Sequence, residues 1–185
     1  MRAPVTRLGR RFFARDALDV APDLINKVLV VGASSGRIVE VEAYRSDDPA
    51  SHTFRGMTSR NATMFGPAGH LYVYFTYGMH HCANISTGAT GDGQGVLLRA
   101  IVALTGLDAL RARRPGRPDR QLADGPGKLC QAFGLDRRHD GLDVTTDPVV
   151  RVVDDGAVPA SRVTTRIGIR LGTDRPWRWL AEPTA

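Results

Sequence analysis

Lysine is almost absent: of 25 lysines and arginines, only Lys27 and Lys128 are lysine. So strong an arginine bias reflects either a genome-wide codon preference or a use for guanidinium forks, which grip phosphate oxygens bidentately. Cysteine is as scarce. Cys82 and Cys130 are too few and too far apart for a disulfide framework, so a reducing compartment is expected. No apolar run reaches the length of a membrane-spanning helix. The glycine turns "FGPAG" and "DGPGK" lack the G-x-x-x-x-G-K-[ST] pattern of a triphosphate-binding loop. There is no G-x-S-x-G elbow and no signature of a cysteine nucleophile. His80, His81 and Cys82 are sequence neighbours on a strand, where side chains alternate between faces, and His52 and His70 lack zinc-ligand spacing, so no metal is expected.

The 185 residues, 42% of them hydrophobic, suffice for one domain with a real core, and no linker or repeat divides residues 1–185. The formal charge of +6 and the pI near 10.0 favour a polyanionic partner. The N-terminal stretch has five arginines, from Arg2 to Arg15, before its first acid, Asp16, as a transit peptide can. It runs into the next segment without a cleavage-like site, and is read as part of the domain with a basic arm at about residues 1–11.

Along the chain the pattern predicts a helical region over Phe12–Ile25 and strands over Lys27–Val31 and Arg37–Tyr44, joined through "GASSG". A polar stretch from Arg45 to Gly69 is too long and too rich in turn residues for regular structure, and long ordered loops tend to carry function. "HLYVYFTY" and "HHCANIS" read as strands around a turn at Gly78, and "GVLLRAIVAL" as another. "GLDALRARR" has helical spacing. "DGPGKLCQAFG" reads as a helix with Pro126 near its start and Gly134 as its stop. "RVTTRIGIRLG" and "RPWRWL" supply one or two closing strands. The fold class is therefore α+β: a single compact domain with a curved, mainly antiparallel sheet and flanking helices.

Period two along "RIVEVEAY" puts Ile38, Glu40, Glu42 and Tyr44 on one face and Val39, Val41 and Ala43 on the other. Two adjacent carboxylates on a strand are most often an exposed or ion-paired face. All four tyrosines, however, lie between Tyr44 and Tyr77. Tyr72 and Tyr74 alternate with Leu71, Val73 and Phe75, and such a group of rings beside a carboxylate suits a stacking pocket for a heterocycle. Asn84 lies on the next strand, where an amide can read donor and acceptor edges. Arg99 interrupts an apolar run and needs an anion, which Glu40, Glu42 or a phosphate could supply.

In order along the chain, "RIVEVEAY", "DPASH", "SRNATMFGPAGHLYVYFTYGMHHCANIS", "GVLLRA" and "GPGKLCQAFG" resemble the alkyladenine (3-methyladenine) DNA glycosylase family. The resemblance runs from Phe13 to Gly134 and more weakly to "TRIGI" and "PWRW". It implies a monofunctional base-excision enzyme without helix-hairpin-helix motif, metal or cofactor. Such an enzyme flips a damaged purine out of duplex DNA and hydrolyses its N-glycosidic bond. By motif, Glu42 matches the water-activating glutamate, and Arg99 the arginine of the active-site hydrogen-bond network. Tyr44, His52 and Tyr74 match residues around the flipped base, and Asn84 the amide that disfavours undamaged guanine. Tyr77 matches the side chain wedged into the minor groove.

Met79 and Lys128 are candidate DNA-backbone contacts, as are the arginines at 111, 113, 114, 117 and 120. The expected partner is double-stranded DNA carrying 3-methyladenine, 7-methylguanine, hypoxanthine or ethenoadenine. The expected enzyme is a monomer that binds no membrane and, in a bacterium, resides in the cytoplasm at the nucleoid. Three positions depart from the family pattern: Ser59 where proline is usual, His81 where a bulky aromatic is usual, and Ala83 where leucine or methionine is usual. The last two are expected to alter pocket packing. Two other functions fit parts of the pattern: a damage sensor that does not cleave, and a hydrolase of free nucleosides.

Overall fold

A computed structural model describes residues 5–76, 78–158 and 160–182. Among these residues nine strands form one antiparallel sheet. They are β1 (Thr6–Arg7), β2 (Val28–Val31), β3 (Ser34–Tyr44), β4 (Leu71–Thr76), β5 (His80–Thr87), β6 (Gln94–Thr105), β7 (Val150–Asp154), β8 (Ser161–Thr164) and β9 (Arg178–Ala181). Their order is β1-β7-β2-β3-β6-β5-β4, with β9 joining β3 to β8. Four helices accompany them: α1 (Arg10–Phe13), α2 (Ala17–Leu24), α3 (Leu107–Arg113) and α4 (Pro126–Phe133). The α+β class and the antiparallel sheet thus agree with the sequence.

The sheet separates two environments. Ala43, Val96, Ile85 and Leu71 stand opposite one another across β3, β6, β5 and β4, and all four are fully buried in the core. One residue along in each ladder, Glu42, Leu97, Asn84 and Tyr72 form the neighbouring row, and alternation turns that row to the opposite face. Helix α2 covers the core with Ala17, Val20, Ala21 and Leu24, spaced i, i+3, i+4 and i+7. Helix α4 adds Leu129, Cys130, Ala132 and Phe133, begins at Pro126 and stops at Gly134, whose φ of 70° is the left-handed cap that glycine adopts freely.

Several elements differ from the sequence reading. The predicted Phe12–Ile25 helix is two helices, because the Asp16 side chain accepts from the Leu18 amide (2.9 Å) and starts a new one. The basic arm is built into the fold from Thr6 onward: β1 pairs with β7, and the Arg7 guanidinium donates to the Thr145 and Asp147 carbonyls (3.3 and 2.7 Å). Strand β7 was not read from the sequence, since "VVRVVD" has apolar doublets rather than alternation. The "RIGIRLG" run is no strand, for β8 ends at Thr164. In the polar stretch, Ala62–Phe65 forms a short 3-10 helix.

The largest correction concerns β3. Ile38 pairs with Ile101, Glu40 with Ala100 and Val41 with Leu98, so the ladder skips Val39 on β3 and Arg99 on β6. These bulges reverse the alternation. Ile38 therefore joins Val41 and Ala43 in the core instead of sharing a face with the glutamates.

Candidate functional site

Beyond the bulge, Glu40, Glu42 and Tyr44 lie on the face away from the core, where strict alternation from Ile38 would have put the same residues beside an apolar one. The Glu42 side chain has no exposed surface, and Arg99 and Glu40 retain only 12% and 14% of theirs. Charges this deep persist only when paired. The Arg99 guanidinium donates to Glu40 Oε1 through Nε (2.8 Å) and to Glu42 Oε2 through a terminal nitrogen (3.2 Å). Arg178 on β9 gives Glu40 Oε1 a second donor at 2.7 Å. Burial works against the Arg99 cation, but the two glutamates outweigh it and hold its pKa above the ordinary value.

Glu42 has two further partners: the Tyr44 hydroxyl donates to Oε2 (2.8 Å) and the Ile167 amide to Oε1 (3.0 Å). All of its partners donate, and an ionised carboxylate accepts them all and keeps lone-pair capacity over. Burial, then the charge and hydrogen bond of Glu42, push the Tyr44 phenol far up, so it stays protonated as the donor.

Over this charged floor opens a cavity of about 480 Å³. Tyr44, His52, Tyr72 and Tyr74 supply its rings; Leu97, Arg99, Asn84 and Cys82 its base; Ile167–Leu171 and Pro126 its far wall. Tyr72 and Tyr74 stack at 5.3 Å with 25° between planes, and His52 meets Tyr74 edge-on at 4.5 Å. His52 Nδ1 and the Tyr72 hydroxyl share a hydrogen bond of 3.2 Å. Burial, helped by the Arg60 charge, lowers the His52 pKa, so the imidazole is neutral near pH 7. Asn84 is 5% exposed and its Nδ2 has no partner among the described residues. A buried amide donor left unpaired is costly, and Asn84 lines the cavity, so a ligand that brought an acceptor within reach would relieve it.

The structure thus brings Arg99, Tyr44, His52, Tyr74 and Asn84 to one cavity; Glu42 does not line it but is bonded to three residues that do, Arg99, Tyr44 and Ile167. Tyr77 lies outside the described residues. Met79, next to the Gly78 turn (φ 68°), is 68% exposed and lies outside this cavity. Lys128 is on α4 and pairs with Asp124 at 2.9 Å, also away from it. His81 lines a second cavity of about 490 Å³, and Ala83 is fully buried in the core, so neither departure from the family pattern lines the first. Asn61 holds the loop at Ser59 without a proline: its side chain accepts from the Thr58 amide (2.6 Å) and donates to the His52 and Gly56 carbonyls (2.8 and 3.1 Å). Among the described residues no three of His, Cys, Asp and Glu meet as a metal-ligand set.

The carry-over of family roles left out Tyr72, although strand period groups its ring with that of Tyr74. It also left out Ile167, and Arg166 with Asp48, a pair 118 residues apart for which no local pattern exists.

A family model described as methylpurine-DNA glycosylase (MPG) matches residues 11–184. Three bacterial proteins, each named "Putative 3-methyladenine DNA glycosylase", are similar over nearly their whole length. The Burkholderia lata protein is 54% identical, over 96% of this chain and 89% of its own. The Agrobacterium fabrum protein is 49% identical, over 94% and 88%. The Carboxydothermus hydrogenoformans protein is 46% identical, over 93% of each. A match of this extent embraces the strand that carries the glutamates, the tyrosine ladder and the C-terminal wall alike, and with it the chain belongs to the methylpurine-DNA glycosylase family.

Proposed function

We propose that this DNA glycosylase extrudes alkylated or deaminated purines from duplex DNA and hydrolyses the N-glycosidic bond with a water activated by Glu42, leaving an abasic site. The observation that carries the reading is the buried Glu42 carboxylate, fixed by Arg99, Tyr44 and the Ile167 amide directly beneath an aromatic cavity. Loss of a purine passes through an oxocarbenium-like sugar, and a carboxylate beneath it both takes the water proton and stabilises the developing positive charge. Arg99 and Tyr44 hold that carboxylate from the cavity side. Both lysines are committed elsewhere, Lys27 to Asp154 (2.7 Å) and Lys128 to Asp124 (2.9 Å), so neither offers an amine nucleophile to the sugar. In this reading water is the nucleophile, as in a monofunctional enzyme.

The stacked Tyr72 and Tyr74, with Tyr44 and His52, suit a flat extruded base. The free Asn84 donor favours a base edge that presents an acceptor, and an exocyclic amine placed there, as in guanine, meets donor with donor. Cationic 3-methyladenine and 7-methylguanine leave without protonation, whereas neutral hypoxanthine and ethenoadenine draw more on the pocket. In this reading Tyr77 fills the gap left by the extruded base, and Met79 and Lys128 border the DNA backbone. The protein acts as a monomer on damaged double-stranded DNA, in the cytoplasm at the nucleoid. Among the described residues, no helix is long and apolar enough to cross a membrane.

The test is a panel of duplexes, each with one modified purine, incubated with wild type and with Glu42→Gln and then cleaved with alkali at abasic sites. Wild type is expected to release at least one lesion, and Glu42→Gln to bind it with turnover largely lost. Binding by wild type with no abasic product on any duplex would instead indicate a damage sensor.

A further inference from the structure

Arg166 and Asp48 form an ion pair with no exposed side-chain surface. Exchanging such a pair for apolar side chains is often neutral or stabilising, so stability alone does not account for it. Its contacts are specific. One terminal nitrogen of Arg166 donates to Asp48 and to the Ala43 carbonyl (3.1 Å), and Ala43 lies between Glu42 and Tyr44. The other donates to Asp48 Oδ1 (3.0 Å) and to the Gly172 carbonyl (3.2 Å). The guanidinium lies over the Tyr44 ring at 4.7 Å and over Trp177 at 5.1 Å. Arg166 does not line the cavity, so it backs the Tyr44 ring from behind. The next residue, Ile167, supplies the amide on Glu42 Oε1.

We propose that Arg166, aimed by Asp48, is a positioning residue that sets the Glu42 carboxylate for water activation by fixing the Tyr44 ring and the Ile167 amide together. It touches neither DNA nor water in this role. It determines where two of the carboxylate's donors stand, one on β3 and one on the loop before β9. A lysine keeps the charge but not the planar fork that holds two oxygens and two rings at once. Gly172 offers a second handle: a Cβ there would come within 2.9 Å of Asp48 Oδ1 and 3.1 Å of an Arg166 terminal nitrogen, at a φ of +59°. The inference rests on Glu42 being the water activator.

The experiment compares Arg166→Lys and Gly172→Ala in the full chain, using a duplex with one lesion that wild type excises. Single-turnover excision is read beside equilibrium binding, the latter in a Glu42→Gln background. The expected result is a rate loss of about tenfold to a hundredfold with affinity held within about threefold, as for a misplaced catalytic group. Added to Glu42→Gln, Arg166→Lys should cost no further rate, because it acts through that carboxylate. Parallel losses of rate and affinity, or an unchanged rate in the folded variant, overturn the proposal. Should Arg166→Lys not fold, Gly172→Ala, which keeps both charges, decides it by the same two readings. Full activity in Glu42→Gln would reject the carboxylate reading itself, a different outcome from a wild-type rate in Arg166→Lys alone.

Discussion

The arginines of α3 and the turn after it, Arg111, Arg113, Arg114, Arg117 and Arg120, lie at the surface, Arg114 half-buried, while the side chains of Arg99, Arg166 and Arg178 are mostly or wholly buried. Both groups have partners. Arg111 reaches Asp108 and Asp119 (3.1 and 2.7 Å), and Arg113 donates to the Ala132 carbonyl (3.2 Å). The surface set is pronounced in the sequence, yet water and salt screen its pairs, and each side chain gives up conformational freedom to form them. The buried set is scattered through the sequence, yet each member answers a carboxylate largely or wholly withdrawn from bulk solvent, so removing one strands a charge. Depth, rather than the density of arginine, separates a structural and functional network from a solvated face.

The comparison can be broken most forcefully at its buried end. Glu42→Gln should lower single-turnover excision by about 10²- to 10⁴-fold, the range of a lost general base, while lesion binding persists. A wild-type rate would remove Glu42 from that role. Arg99→Ala should destabilise the fold by about 3–5 kcal/mol, because Glu42 then keeps no cation and Glu40 only Arg178. Urea unfolding at pH 7 checks this, and an unchanged midpoint would mean that the floor is not energetically buried.

An intermediate case is the Arg10–Asp143 pair, in which Arg10 is 40% exposed and Asp143 20%. Burial alone would raise the Asp143 carboxyl, but donors from Thr145 and Arg10 win and hold it at about 2, against an ordinary 3.8. A depressed carboxyl stabilises the fold above the ordinary value, and that contribution is lost as pH falls from about 4 to about 2. Asp143→Asn should therefore cost roughly 1–2 kcal/mol at pH 7, discounted for solvent screening, and almost nothing at pH 2. Chemical denaturation at the two pH values measures it. Smallest of all, Arg111→Gln should leave the thermal midpoint within experimental error despite its two acidic partners, and a clear fall would erase the distinction between surface and floor.

Local rules made much of the fold legible. Pro126 and Gly134 bracket α4 as their backbone preferences require, and β4 and β5 flank Gly78 as their alternation suggests. Two cavity rings were legible too, because Tyr72 and Tyr74 fall on one face by strand period alone, whereas Asn84 joins them only through the β4–β5 register. Two features were hidden for different reasons. The bulges at Val39 and Arg99 leave no compositional mark, since a bulge is a relation between two strands and neither strand encodes it alone. The wall at Ile167–Leu171 resembles a strand in composition, but β9 pairs with β3 directly and leaves the run as a loop over Glu42.

By itself the sequence determined that Glu42 would lie beside tyrosines on an antiparallel strand, since period two and β propensity act within a few residues. Tertiary structure alone decided that Glu42 would be withdrawn from bulk solvent, held by Arg99 from β6 and by the Ile167 amide from the C-terminal loop. Desolvation and ion pairing depend on which distant segments meet, and burial gives those meetings their strength.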